Sequence, residues 1–486
     1  MSSSIFSIVD GVDDFGYDIL NPPGLAKLIV DDINKQAYRA QPRLSMLAAL
    51  QIIAGVCAPT LLTPQASKTN LITMGVCLSG GGKDIGQQYM KALFGKLSIR
   101  VYSGIPSSQS ISKSLLDTNG RAIYVIDEIQ SLFGSMDGKN APAYLKNIGN
   151  EMMSLYTDSM KMFNYLEIKG VKTEVEEDVK KETKKMKDEG ISFGGGEYTR
   201  RIAEIMKRVD EVTSGIQNPY FAVAGYSTPQ KLASIFSQEN IESGLIGRML
   251  VVIGSDERAR AELKKYREKL TINTNVISGV ARLKDLSLGQ INFDCDETFE
   301  YAKKLNDRLE DHINDGELGS VMARAWNLIE RVSTVLAAGD GGKVKIIHIK
   351  WAFITVCNSI FDLWTMHRSN ASQEEDGFES RWFELRDRII QCVRGKGFSD
   401  AIPKSKIIEK IFRSKKSRLY SVIQIAYPTD TKRGCTDVVN DCLTELLAAG
   451  VIDMNGKSFF QMNLSKADDV GPSKAFISVF SRYGKA

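Results

Sequence analysis

Lys83, Asp127 and Glu128 are the residues of this chain whose types and settings suit chemistry on a phosphate group. Lys83 lies near the end of the run Cys77 to Asp84 (CLSGGGKD), which follows the apolar stretch Leu71 to Leu78 and precedes a helical pattern from Ile85 to about Leu97. Gly80, Gly81 and Gly82 remove every Cβ from the turn, so backbone N–H groups can close around oxyanions, and the following helix offers its positive end to the same charge. Lys83 adds a cation. Asp127 and Glu128 end the apolar run Ala122 to Ile126, one strand after the loop. Such a pair would hold magnesium through Asp127, directly or through water, while Glu128 orients and deprotonates an attacking water. The chemistry expected is binding and hydrolysis of ATP with Mg2+.

The loop departs from the usual phosphate-binding pattern twice. Cys77 stands where a first glycine belongs, and Asp84 stands where a serine or threonine hydroxyl normally touches the metal. Asp84 is a hard oxygen donor suited to a magnesium shell, and it also brings negative charge beside the phosphates. Downstream, Ser227 and Thr228 follow the apolar run Tyr220 to Gly225 and would emerge at the sheet's carboxyl edge near a γ-phosphate; ordinary turn capping before Pro229 is the alternative role. Arg248 closes Gly244 to Arg248 (GLIGR) ahead of another apolar run. Its planar, permanently charged group is expected to reach a neighbouring subunit's γ-phosphate, with a local surface ion pair as the alternative. Arg324 is expected to contact nucleotide within its own subunit.

These residues need a scaffold that brings strand ends together. Apolar runs at Leu71–Leu78, Ile99–Ser103, Ala122–Ile126, Tyr220–Gly225 and Met249–Ile253 alternate with helical stretches, which predicts an α/β fold with a parallel sheet and helices on both faces. Ligands of such sheets bind at the carboxyl ends of the strands. Helices are expected before the core, from Leu25 to about Tyr38 and from Leu44 to Val56 after the turn Asn21 to Gly24. An insertion of about 165–215 contains Leu166–Glu189, with seven Lys and eight Asp or Glu, then Gly194, Gly195 and Gly196 as a joint. Its spacing predicts a solvated helical hairpin or an element that touches nucleic acid or a neighbouring subunit, with Glu176–Lys180 and Glu177–Lys181 as i,i+4 pairs.

From about Asp294 to His367 the pattern is helical, with Tyr301, Leu305 and Leu309 on one stripe and Trp326, Ile329, Val332 and Leu336 on another. A helical lid over 293–370 and a polar linker at Asn370–Gly377 are expected from this. Beyond it, three helices are expected around Leu385–Val393, Pro403–Ile411 and Thr436–Leu447, with Thr436 as N-cap and Gly450 as the stop. A hairpin turning at Asn455-Gly456 completes a winged-helix arrangement over 378–465. The organisation expected is 1–65 helical, 66–292 core, 293–370 lid, 378–465 winged helix and 466–486 tail.

At 486 residues, with 43% hydrophobic and 25% charged, the chain is long enough for two or three domains and is not disordered by composition. Net charge is only +4, but Arg381–Tyr420 holds twelve Lys or Arg against four Asp or Glu. Lys404, Lys406, Lys410, Arg413, Lys415, Lys416 and Arg418 suit a DNA phosphate backbone, and the Thr436 helix a major groove, unless the module binds protein instead. Seven scattered cysteines and three histidines argue against zinc ribbons and disulfide frameworks. No export signal is evident at the start, and Leu44–Leu62, interrupted by Gln51 and Pro59, reads as a buried helix rather than a membrane span. A reduced, cytoplasmic location without membrane partners is expected.

The order of motifs resembles the helicase-like AAA+ ATPases of phages and mobile elements. The likeness runs over roughly Pro22 to Arg368: Pro23-Gly24 with its apolar helices, the strand into Gly80–Asp84, Val125–Glu128, the turn Gly225–Pro229, and Gly244–Arg248. It implies a P-loop AAA+ core, a homo-oligomeric ring such as a hexamer with ATP between subunits, single-stranded DNA in the channel, and a role in replication. Many relatives carry a primase module ahead of the motor; about 20 residues precede the first helices here, so a separate primase is expected as partner. Three readings are open: an ATP-dependent DNA helicase or translocase, an ATP-switched replication initiator or helicase loader that binds origin duplex without unwinding, and a nucleotide-binding scaffold in which Asp84 weakens hydrolysis.

Overall fold

Long, uninterrupted apolar runs form the centre of the protein, because a strand covered on both faces has no polar side to alternate with. The computed structural model describes residues 8–9, 12, 19–137, 143–229, 244–254, 258–263, 265, 269–286, 288–311, 313, 319–374, 378–412, 419–420, 423–424, 427 and 429–470. The chain enters through α1 (Leu25–Gln36) and α2 (Pro42–Cys57), then β1 (Ile72–Val76), α3 (Asp84–Lys96), α4 (Ser108–Asp117), β2 (Arg121–Ile126), α5 (Gln130–Asp137) and α6 (Ala143–Thr157). Next come β3 (Met160–Lys161), α7 (Tyr165–Asp188), α8 (Gly196–Ser214), β4 (Ile216–Gln217), β5 (Tyr220–Ser227) and β6 (Met249–Ile253).

Strands β2, β5, β1 and β6 form one parallel sheet in that order. Every residue of β1 and β5 is buried. The α/β class with a parallel sheet is therefore as expected. The fifth strand expected at Ile99–Ser103 is reduced to a single bridge from Tyr102 to Tyr124. Ser98 turns the chain at φ 55°, and Gly104 and Pro106 come soon after, so only Tyr102 meets the β2 edge.

Helix α2 crosses β1, β5 and β6. Gln51, the polar interruption in its apolar run, donates to Leu71 O at 3.1 Å, Thr73 Oγ1 at 3.0 Å and Val223 O at 3.0 Å, stitching the helix to two strands. The reading of this helix as buried holds for Pro42–Cys57, where fourteen of sixteen residues are buried.

Helices α9 (Thr274–Asp285), α10 (Asp296–Glu310), α11 (Gly319–Ala338) and α12 (Ile346–Glu374) come after the sheet. They belong to the same hydrophobic cluster as the sheet. Helix α12 covers the β6 edge, where Ser359 Oγ accepts the Val251 N–H at 2.8 Å, so the edge amide has an acceptor. Its segment Ile346–Leu363 is long and apolar enough to cross a membrane, but 72% of it is buried inside the protein. The linker expected at Asn370–Gly377 is helical through Glu374.

The C-terminal part contains α13 (Phe378–Val393), β7 (Ile402–Pro403), α14 (Lys404–Phe412), α15 (Thr431–Ala448), β8 (Ile452–Asn455) and β9 (Ser458–Gln461). The three helices pack on one another, and β7, β9 and β8 form an antiparallel sheet in that order. Helix α15 starts five residues before the expected N-cap. Asp430 caps it by accepting the Arg433 amide at 3.0 Å, while Thr436 sits in the second turn with its hydroxyl on Lys432 O. The hairpin turns on Gly456 and Lys457, since Asn455 still pairs with Ser458; Gly456 takes φ 63°, as the first central position of such a turn requires. Residues through Val470, expected as the start of a tail, fold back on α13, where Trp382 Nε1 donates to Val470 O at 3.1 Å.

Candidate functional site

The carboxyl ends of β1 and β2 bring the glycine loop and the two acids together. After Val76, Cys77 donates its amide to Ser227 O at 3.1 Å, and a tight turn closes with Gly81 N on Leu78 O at 2.8 Å. The connection between α1 and α2 supports the loop from outside: Gln41 Nε2 donates to Gly81 O at 2.9 Å, and the Arg39 carbonyl lies where a Cβ on Gly82 would be. Arg258 Nε holds Ser79 O at 3.0 Å from another side. Gly82, at φ 104°, is required both by its backbone and by this close approach. Gly80 faces open space at φ 68°. The buried Cys77 sulfur packs under Gly81, and burial pushes its thiol pKa up, so the residue in the place of the first glycine is a wedge under the turn. Among the described residues, the amides of Gly80, Gly82 and Lys83 have no acceptor, and they stand at the N-terminus of α3.

Lys83 Nζ lies 2.6 Å from Asp127 Oδ1, with Lys83 largely covered and Asp127 half exposed. The same oxygen accepts the Glu128 amide at 3.0 Å and Gln87 Nε2 at 3.4 Å. Burial acts to raise the Asp127 pKa, but the Lys83 ammonium and the other donors more than offset it, so the carboxyl is held below its ordinary value. Glu128 is in the left-handed region at φ 53°, a conformation that costs about 1–2 kcal/mol for a residue with a Cβ.

The next residue holds that strained turn in place. Ile129 is fully buried, its amide donates to Tyr226 O at 3.0 Å, and it occupies the space left by Gly225, where a Cβ would overlap it. Gly225 thus fixes the turn that exposes Glu128. Neither this pair nor Gln87 stands out in the sequence; the glycine interrupting the apolar run of β5 is the available signal.

Ser227 is buried and donates to Gln130 Oε1 at 2.8 Å, which ties β5 to α5 and engages its hydroxyl. Thr228, the next residue, is half-buried. Asp84 is exposed as the first residue of α3, where a carboxylate suits the helix dipole. Among the described residues no group of three or more His, Cys, Asp or Glu could hold a metal ion. Magnesium, however, is commonly bound by one or two carboxylates together with substrate phosphates and water, and the half-exposed Asp127 and the exposed Asp84 supply the hard oxygens that this requires.

Arg248 and Arg324 sit together at the opposite edge of the sheet. Met249, next to Arg248, pairs with Ile72 at the start of β1, about one strand length (~16 Å) from the glycine loop. A Cβ on Gly244 would lie 2.8 Å from the Arg324 guanidinium carbon and 3.1 Å from Arg248 Nη1, so both side chains converge on this glycine. Arg248 donates to Gly244 O at 2.8 Å and Arg324 to Ser320 O at 3.1 Å. Burial, and then the Arg324 charge, hold the Arg248 pKa below its ordinary value. Arg324 therefore accompanies Arg248 and stands away from its own subunit's Lys83, contrary to its expected role; the packing of α11 on the turn Ile246–Arg248 ahead of β6 decides this.

Of the basic residues near the C-terminus, Lys406 and Lys410 are exposed one turn apart on α14 and Lys404 is half-buried, while Ile407 and Ile411 face inward. Arg413, Lys415, Lys416 and Arg418 lie outside the described residues. Helix α15 carries Asp437, Asp441 and Glu445 at four-residue spacing; burial, and then the two flanking carboxylates, raise the Asp441 pKa. That stripe repels phosphate. Neither of the two expected i,i+4 pairs of α7 comes within ion-pair distance; other acids of α7 pair with α8 instead, including Arg208–Asp178 at 3.3 Å and Arg201–Glu182 at 3.1 Å. No protein-family model matches the chain, and no curated protein matches it.

Proposed function

We propose that this chain is an ATP-hydrolysing motor that acts on DNA as a ring-shaped oligomer, the helicase or translocase of a phage or mobile-element replication system. The observation that carries the reading is Lys83 Nζ at 2.6 Å from Asp127, with Glu128 beside it in a strained turn, at the mouth of a glycine loop with open amides. Strained backbone that surrounding packing over-determines is a mark of working sites. In this reading the core is a P-loop AAA+ domain and the C-terminal part a winged helix.

Lys83 exchanges Asp127 for the β- and γ-phosphates, and the loop amides take the remaining oxygens. Asp127, with Asp84 beside it, would hold a magnesium ion, which would supply neutralisation of charge on the phosphates. Glu128 orients and deprotonates the water. Thr228, the half-buried residue that follows β5, positions that water; Ser227 acts by holding α5. Arg248, with Arg324 beside it, serves the next subunit's nucleotide, because neither lies at the nucleotide edge of its own sheet. Lys404, Lys406 and Lys410 contact phosphate backbone, and α15 stays out of the groove. A hexamer fed by a separate primase is the assembly that this implies.

Purified protein assayed for ATP hydrolysis with and without single-stranded DNA, paired with mass measurement with and without ATP, tests the reading. Stimulation by single strands and ATP-dependent rings are expected, and Lys83→Ala should abolish both turnover and unwinding of a forked duplex. Unwinding that survives Lys83→Ala would sink it. The exposed Asp84 favours a second reading, a scaffold that keeps ATP with little turnover, which predicts bound ATP and no ADP formation. Sequence-specific duplex binding without strand separation would instead favour an initiator or loader.

A further inference from the structure

The α7–α8 hairpin ends in a feature that the nucleotide site does not use. Phe193, in the loop between the helices, is 82% exposed, and its ring lies against Tyr198 at a centroid distance of 4.7 Å. Tyr198 is braced in turn by its hydroxyl, 3.4 Å from Thr183 Oγ1 on α7. The exposed ring is therefore held in place on a support, so little ordering would be needed to stack on it.

Basic residues precede the loop that carries this ring. Lys180, Lys181, Lys184, Lys185 and Lys187 occupy the last turns of α7, all exposed and on the side away from the buried Met186. Three of the neighbouring carboxylates are drawn to α8: Arg201 alone takes Glu182 at 3.1 Å, Glu189 at 2.9 Å and Glu197 at 2.9 Å, while Asp188 stays exposed among the lysines. Lys185 keeps a distant acidic neighbour, Glu189 at 3.9 Å. The outer end of the hairpin thus carries an excess of exposed lysines on the helix that leads into one supported aromatic ring.

We propose that this hairpin tip binds single-stranded nucleic acid, with Phe193 stacking on a base and the α7 lysines gripping the flanking phosphates. A protein partner fits less well, because protein interfaces are depleted in lysine. Membrane insertion needs a broad apolar face, and the tip offers one ring pair. Duplex does not expose base faces, whereas a single strand offers both a π-face and a phosphate track. The inference rests on the nucleic-acid half of the proposed function and is independent of ATP hydrolysis.

The test uses the full chain and labelled oligothymidine, read by anisotropy, together with an oligonucleotide carrying 2-aminopurine, whose fluorescence falls on stacking. Phe193→Ala and Phe193→Leu are each expected to weaken single-strand binding about tenfold and abolish the quenching, since leucine keeps apolar bulk without a ring. Lys184→Ala combined with Lys187→Ala is expected to reduce the slope of log affinity against log salt by about 1.4. Duplex affinity and ATPase activity without DNA should be unchanged in all these variants. Wild-type protein that hydrolyses no ATP but shows Phe193-dependent quenching would support the tip and remove the motor reading. Absence of single-strand binding by wild type, wild-type affinity in Phe193→Ala, or a changed oligomer mass at unchanged DNA affinity would each overturn the proposal.

Discussion

At the carboxyl edge of the sheet, Lys83 and Asp127 satisfy each other at 2.6 Å; at the amino edge, Arg248, Arg324, Arg331 and Lys68 gather with backbone carbonyls as their acceptors. Arg331 is buried, donates to Asn70 O and Tyr156 O, and lies 3.6 Å from the Tyr156 ring centroid. Lys68, also buried, donates to Leu155 O and Pro219 O. Carbonyl dipoles and a ring face solvate a cation partly, and the buried Glu330 beside Arg331 and Asp158 near Lys68 offset part of the charge of four cations. One edge is electrostatically closed until an anion displaces Asp127 from Lys83, and the other can meet an anion from outside through the half-buried Arg248 and Arg324, with Arg331 and Lys68 buried behind them. Head-to-tail subunits would place the cations of one beside the anionic ligand of the next.

The two edges do not serve one shared site if Arg248 acts within its own chain. Arg248→Ala is expected to lower turnover about a thousandfold or more while leaving nucleotide affinity of the isolated subunit unchanged. Mixing it with Lys83→Ala should restore part of the activity, because some interfaces then combine an intact Lys83 with an intact Arg248. Steady-state ATPase of each variant and of mixtures checks this, and no recovery in any mixture would count against shared sites.

Glu128→Gln sharpens the other edge. Loss of the base should cut turnover about a hundredfold or more while ATP still binds, giving a subunit that traps nucleotide. A trapped-nucleotide assay on filters measures it. Next in size is Gly225→Ala, which pushes on Ile129 and so on the turn carrying Glu128. A destabilisation of about 1–3 kcal/mol is expected from overpacking, seen as a lower urea midpoint, with turnover falling further than global unfolding explains.

The central strands are legible in the sequence because their apolar runs are continuous and end in turn chemistry: Met249–Ile253 has its expected bounds, and β1 and β2 nearly so. Lys83 and Asp127 are legible as a pair because phosphate-loop and acidic-strand patterns carry their own spacing. Relations across the fold are not. Gln87 reaches Asp127 only because α3 starts at the loop, and Ile129 meets Gly225 across ninety-six positions through the β2–β5 pairing. Arg324 stands at the edge opposite to the expected one because the placement of α11 depends on tertiary packing, which a helical stripe does not encode. Ile99–Ser103 has strand composition, yet flanking turns leave it one bridge, an outcome decided by the neighbours of Tyr102.

The smallest expected effect has the opposite sign and reports on the amino edge directly. Burial, and then the Arg331 charge, lower the Lys68 pKa to about 7, with Asp158 acting weakly against them. The unfolded chain keeps its ordinary value of 10.5, so between these pH values the unfolded state binds more protons and stability rises with pH; below about 7 both states are charged and the penalty is complete. Lys68→Met removes the charge, and Leu155 O and Pro219 O are not orphaned, because Asn70 Nδ2 donates to both at 2.8 and 3.3 Å. Loss of two charge-assisted hydrogen bonds offsets much of the gain, leaving a net stabilisation on the order of 1 kcal/mol below neutral pH. Urea unfolding of wild type and variant across neutral to alkaline pH should show that gap closing as the medium turns alkaline. A gap that stays constant would mean that Lys68 is neutralised by a counter-charge, and the amino edge would then be closed like its counterpart.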